Sequence, residues 1–148
     1  IYELNMDNHS EKERSYNMSQ IKSTETKPEI LVRKFLFARG LRYRKNSKLI
    51  LGKPDIVLRK YNTVIFINGC FWHGHDNCKY FKPPKSNQQY WYPKIQRNKE
   101  RDEHIYQKLK QDGWNVIVIW ECELKKTKRE KNLKELYSQI ITSKIDKS

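Results

Sequence analysis

Hydrophobic positions along this 148-residue chain change period several times, and those changes mark out its elements. Thr26-Lys27-Pro28-Glu29 has the pattern of a helix start, with a threonine cap, a proline in the first turn and a glutamate three residues after the cap. Ile30, Leu31, Phe35 and Ala38 follow at helical spacing, and Gly40 is a stop signal. The spacing predicts one helix whose apolar face carries those four residues. Leu41 to Arg44 and Pro54 to Leu58 read as short strands, and Lys60-Tyr61-Asn62 turns the chain into a third, Thr63 to Asn68.

Loop residues continue to about Pro93, and a polar helix is predicted from Asn98 to Gln111, closing at Gly113. Trp114 to Trp120 (WNVIVIW) reads as an apolar run, which implies a strand buried on both faces. Strand, helix, strand in that order implies a right-handed crossover and a parallel pair. Arg129 to Ile141 reads as a closing amphipathic helix. Residues 1–23 are polar and charged with little periodicity, as expected of a flexible arm. The expected organisation is that arm followed by a single α/β domain over residues 24–148, with a mixed sheet flanked by helices.

Charge narrows the class. Thirty-one Lys and Arg face 17 Asp and Glu, a formal net charge of +14. Such an excess repels itself unless an anionic partner is at hand, and nucleic acid is the commonest one. The bland reading is a soluble, lysine-rich protein. No apolar run approaches the ~18 residues of a membrane span, and residues 1–20 do not resemble a secretory leader. Three cysteines cannot all pair within the chain, so a reducing compartment is expected, with thiols available to a metal.

The densest chemistry lies in Cys70-Phe71-Trp72-His73-Gly74-His75-Asp76-Asn77-Cys78. Two cysteines and two histidines in nine residues suit zinc, which takes four N or S ligands in a tetrahedron. If Cys70, His75 and Cys78 bind, Cys122 is the best fourth ligand, because it is the remaining cysteine. A site of this kind contributes on the order of 10 kcal/mol of folding free energy. The alternative is three unrelated buried cysteines. His73 is then left open as a competing ligand, a solvent-facing residue or a base.

The carboxylates are less specific. Asp55, after Gly52-Lys53-Pro54, stands at the start of a hairpin, where a carboxylate can hold Mg2+ beside a phosphate. Turn chemistry explains most Pro-Asp dipeptides equally well. Glu29 is explained as the capping-box partner of Thr26, and Asp102 as part of a solvated helix face.

Together these residues resemble a known family. Asn17-Met18, Glu29, Gly52-Lys53-Pro54-Asp55, Val64-Ile65-Phe66, Gly69-Cys70-Phe71-Trp72-His73, His75, Cys78, Asn98, Glu100-Arg101-Asp102 and Trp120-Glu121-Cys122 match the pattern of the very-short-patch repair (Vsr) endonucleases. The match runs from about Asn17 to Leu124, and the Gly-Cys-Phe-Trp-His run is its most specific part. The resemblance implies a restriction-endonuclease-like fold with a structural zinc. It implies a bacterial, cytoplasmic, nucleoid-associated enzyme that nicks double-stranded DNA 5′ to the T of a T·G mismatch, starting repair of deaminated 5-methylcytosine.

By position, the resemblance makes Asp55 a Mg2+ ligand with the backbone carbonyl of Ile67. His73 becomes the general base or proton shuttle, with Asp102 its carboxylate partner, and Glu29 acts through water around the magnesium. Cys70, His75, Cys78 and Cys122 become the zinc ligands. Phe71 and Trp72, with Met18 from the arm, resemble the wedge inserted beside the mismatch, where unstacking a mispaired step costs less than a paired one. Trp91, Lys94 and Asn98 complete the DNA-contacting set.

Ile67 and Asn68 stand where some relatives carry Thr and His, and the zinc loop is one residue longer than in some. A monomer is implied, with mismatch-repair proteins or a cytosine methyltransferase as candidate partners. The competing readings are a restriction-like or modified-base nuclease of the same fold and a non-catalytic zinc DNA-binding module.

Overall fold

The computed structural model describes residues 26–76, 78–79 and 86–147. Helix α1 (Lys27–Ala38) leads to a two-residue strand β1 (Arg44–Lys45), then to β2 (Ile56–Leu58) and β3 (Thr63–Asn68). A long helix α2 (Gln88–Gln111) connects β3 to β4 (Asn115–Trp120), and helix α3 (Arg129–Lys147) follows. The sheet order is β1-β2-β3-β4. β1 with β2 and β2 with β3 are antiparallel, whereas β3 and β4 are parallel, with Thr63 opposite Asn115 and Asn68 opposite Trp120. The expected mixed α/β sheet is therefore present, and the parallel pair is the one that the strand–helix–strand order implied.

Strand alternation sorts the core into two layers. Ile56, Leu58, Ile65, Ile117 and Ile119 face one way and pack with Val32 and Leu36 of α1 and Leu133, Leu136 and Ile140 of α3. Val57, Val64 and Phe66 face the other way, against Leu109, Ile105 and Tyr106 of α2. The hairpin between β2 and β3 is set by Asn62, which takes the left-handed conformation (φ 51°) that a short polar side chain tolerates. Its Nδ2 donates to Gly113 O at 2.5 Å and so ties this turn to the end of α2.

Four expectations need correction. First, α1 does not bury the Ile30–Leu31–Phe35–Ala38 face. Glu29, Val32, Arg33 and Leu36 point inward instead, with the i, i+3, i+4, i+7 spacing of one helical stripe. Two of those four are charged, so hydrophobicity alone placed the face wrongly. Second, α2 starts at Gln88, ten residues before the predicted Asn98, and carries Pro93 inside it. Proline there removes one helical hydrogen bond, but Trp91 and Ile95 on either side are buried in an aromatic cluster with Phe71, and that packing outweighs the propensity. Third, β4 lies at the sheet edge among the described residues, with Ile117 and Ile119 buried and Val116, Val118 and Trp120 half-buried. Fourth, β1 covers Arg44–Lys45 rather than Leu41 to Arg44, and α3 continues to Lys147 rather than ending at Ile141.

No helix among the described residues is long and apolar enough to cross a membrane. The reading of residues 1–23 as an arm falls outside the described residues.

The extended α2 is testable. Pro93→Ala restores a helical donor and is expected to stabilise the protein by about 1–3 kcal/mol in urea denaturation. An unchanged or lowered midpoint would place the helix start beyond Pro93.

Candidate active site

The carboxyl-terminal end of β3 gathers the chemistry. Asp55 immediately precedes β2, and its Oδ2 accepts from the backbone N–H of Ile67 at 2.7 Å. Its own N–H donates to Ile65 O at 3.0 Å, so the residue is clamped to β3 from both backbone and side chain. Amide and carbonyl of one strand residue point to the same side, so the Ile67 carbonyl flanks the Asp55 carboxylate. Glu29, buried on α1, hydrogen-bonds the Asp55 carboxyl. Its N–H donates to Thr26 Oγ1 at 3.4 Å, so the helix is capped as expected while the glutamate side chain turns inward.

Burial pushes the Asp55 carboxyl above its ordinary range, against the hydrogen bond from the Ile67 amide and the charge of the Arg33 guanidinium. Two carboxyls half out of water beside one arginine form an electron-rich pocket of hard oxygen donors. Such a pocket matches what a divalent cation of the Mg2+ type binds.

Beyond β3 the chain makes a compact turn, with His73 N donating to Gly69 O, Gly74 N to Phe71 O and His75 N to Cys70 O. Gly74 has φ +60°, and a Cβ there would lie 2.8 Å from Ile95 Cγ2 and 2.7 Å from Lys99 Cδ. Only glycine lets the turn lie this close on α2. From α2, Asn98 Nδ2 donates to Trp72 O at 2.9 Å and Lys99 pairs with Asp76 at 2.8 Å. The turn so held places His73 Nδ1 2.5 Å from Asp102 Oδ2, with both groups half-buried. This contact commits Nδ1 to the carboxylate and leaves Nε2 as the other ring nitrogen.

On the far side of the turn, donor atoms of Cys70, His75, Cys78 and Cys122 all lie within 4.8 Å of one another. A tetrahedron of bonds about 2.3 Å long separates its corners by about 3.8 Å, so the four side chains can hold one metal ion. Trp120 stacks on His75, centroids 4.0 Å apart and planes within 3°, while His75 Nδ1 stands 3.4 Å from Cys122 Sγ. Burial lowers the His75 pKa and raises those of Cys70 and Cys122. The imidazole is therefore neutral, as a ligand must be, whereas the thiols need a cation to lose their protons.

Most of the expected site residues thus converge around the carboxyl-terminal end of β3. Asp55, Glu29 and Ile67 lie together, His73 pairs with Asp102, and the four soft ligands cluster. The aromatic residues are less exposed than a wedge suggests. Phe71 and Trp91 are buried, packed edge to face at 5.7 Å, and Trp72 alone of the three is half-exposed. Lys94 donates to the Tyr90 hydroxyl at 2.8 Å, and the Asn98 carboxamide is engaged by the turn itself. Met18 lies outside the described residues.

Arg33, buried and acting on Asp55, was not anticipated. Its i, i+4 spacing from Glu29 was the available signal. Nor did WNVIVIW reveal that its final tryptophan covers the His75 ring.

The raised Asp55 pKa fixes a pH dependence. The unfolded chain gives up this proton first, so stability is lost as pH rises from the ordinary carboxylate range towards the folded-state value, and stays lost at neutral pH. In EDTA at pH 7, Asp55→Asn is therefore expected to melt at a higher temperature than the parent, with the gain vanishing below the ordinary carboxylate range. A lower midpoint for the variant at pH 7 would contradict the burial assigned to this carboxyl.

Comparison with known proteins places this geometry. Residues 6–79 match the family described as DNA mismatch endonuclease Vsr. The type II nicking enzyme V.NmeAIP of Neisseria meningitidis is 59% identical over 112 residues, covering 76% of this chain and 79% of that protein. V.XorIIP of Xanthomonas oryzae, also a type II nicking enzyme, is 44% identical over 115 residues, 78% and 84% of the two chains. The DNA mismatch endonuclease Vsr of Escherichia coli is 39% identical over 119 residues, 80% and 76% of the two chains. With its Cys/His cluster and its carboxylate–histidine turn at one sheet end, this chain belongs to the Vsr DNA mismatch endonuclease family and is a DNA endonuclease.

Proposed function

We propose that the enzyme nicks one strand of duplex DNA on the 5′ side of the T in a T·G mismatch, in a Mg2+-dependent hydrolysis that starts repair of deaminated 5-methylcytosine. The observation that carries this reading is the pairing of a clamped carboxylate, Asp55, with a carboxylate-held histidine, His73, at one strand end. The scaffold is assigned to the restriction-endonuclease-like class, as one domain over residues 24–148 preceded by a DNA-contacting arm.

In this mechanism Asp55 and the Ile67 carbonyl would hold Mg2+, and Glu29 would orient solvent beside it. A divalent ion bound there would offset charge on the scissile phosphate and ease the deprotonation of water. Asp102 takes the Nδ1 proton of His73 in a hydrogen bond, which fixes the tautomer and leaves the Nε2 lone pair as base. Nε2 accepts a proton as water oxygen attacks phosphorus, and the bond to the leaving deoxyribose oxygen breaks, that oxygen taking up a proton from solvent. Arg33 offsets the negative charge of Asp55 and Glu29 until substrate arrives.

Cys70, His75, Cys78 and Cys122 would hold zinc, which would cross-link the turn after β3 to the segment after β4. It stands off the reaction and keeps the His73 turn in place. Trp72, with Phe71 and Trp91 packed behind it and Met18 from the arm, wedges into the stack beside the mismatch. Lys94 and Asn98 border the mispaired bases, and an excess of 14 positive charges draws in the duplex.

Strand-labelled duplexes carrying T·G or C·G at one position test this reading. A single Mg2+-dependent cut 5′ to the mispaired T is expected, lost in EDTA and in Asp55→Ala, with duplex binding retained. Equal cutting of both duplexes would favour a restriction-like enzyme, and undiminished cutting by Asp55→Ala would remove Asp55 from the reaction.

A further inference from the structure

The last residue of β3 carries a polar pair that the reaction described above does not use. Asn68 is 4% exposed, and its Nδ2 donates to the Tyr106 hydroxyl at 2.8 Å. Tyr106 lies on α2 four residues beyond Asp102, about one helical turn, so the two side chains share a face of the helix. The Tyr106 ring packs on Phe66 with centroids 5.1 Å apart, which fixes where the hydroxyl lies.

A phenol oxygen that accepts from a carboxamide directs its own proton elsewhere. Among the described residues no acceptor receives that proton. The hydroxyl is within electrostatic reach of Asp102, Asp55 and Glu103, and burial together with these charges pushes its pKa up to about 12. At any working pH it is a neutral, half-buried donor within electrostatic reach of the two carboxylates on which the proposed reaction turns.

We propose that Tyr106 is a further catalytic residue, donating a hydrogen bond from its hydroxyl to a non-bridging oxygen of the scissile phosphate, with Asn68 as its positioning residue. The inference rests on the nuclease reading given above. A phosphodiester entering between Asp55 and the Asp102–His73 pair meets carboxylates, and hydrogen-bond donors must offset their repulsion. Negative charge grows on the non-bridging oxygens as the phosphorus is attacked, so a fixed donor stabilises the transition state more than the ground state. Asn68 supplies the fixing: with its Nδ2 bound to the phenol oxygen, the O–H is turned out of the core.

The test uses the Mg2+-loaded enzyme on the T·G duplex under single-turnover conditions. Tyr106→Phe keeps the ring on Phe66 and is expected to slow nicking roughly 100-fold, with duplex affinity unchanged. Asn68→Ala is expected to slow it less. A phosphorothioate at the scissile linkage supplies the readout that a structural role would not move, because sulfur accepts hydrogen bonds poorly. One of the two diastereomers should slow the parent strongly and Tyr106→Phe little further. Parental nicking by Tyr106→Phe overturns the proposal, as does a sulfur effect equal in parent and variant for both diastereomers. A parent that nicks no duplex at all overturns the nuclease reading beneath it.

Discussion

The parallel pairing of β3 with β4 is the constraint on which the rest of the molecule depends. Because Asn68 stands opposite Trp120, the chain leaves both strands at the same sheet end. The turn bearing Cys70 to Cys78 therefore meets the segment bearing Cys122 without any long loop having to search for it. The side chains at that meeting point are those that chemistry needs: soft ligands on one side of the turn, and the His73–Asp102 pair on the other. Ligand sites in α/β sheets gather at the carboxyl ends of strands for this geometric reason.

β3 works on its other flank as well. Its Ile67 amide receives Asp55 from the antiparallel neighbour, so one strand end references both the hard-oxygen pocket and the Cys/His cluster. A rigid reference matters because misplacing reacting groups by an ångström costs rate steeply. Burial is the cost of the arrangement. Asp55 and Glu29 sit where carboxylates are disfavoured, and Arg33 offsets only part of that. The site is thus a place where local stability is given up for a binding pocket.

Much of this was legible in the chain, and the reasons differ by residue. The Cys70–His75–Cys78 spacing with Cys122 pointed to a four-ligand cluster because soft donors at close spacing have few other uses, and the structure brings the four together. The β3–α–β4 order gave the parallel pair. By contrast, Pro93 hid the first turns of α2, since propensity cannot register that Trp91 and Ile95 gain more from burial than the helix loses. The inward face of α1 was hidden because Glu29 and Arg33 are charged, and periodic hydrophobicity counts such residues as solvent-facing. The Asn68–Tyr106 pair spans 38 positions and leaves no local trace at all.

In the proposed reading, one strand end serves two separate metal sites, a soft structural one and a hard catalytic one. Metal analysis with Mn2+ titration, on the EDTA-dialysed parent and on Asp55→Asn, tests it most directly. About one zinc per chain should be retained in both proteins, as in a closed Cys/His site. An exchangeable Mn2+ site should be present in the parent and lost in the variant. Loss of zinc from Asp55→Asn, or Mn2+ binding by the variant equal to the parent's, would contradict it.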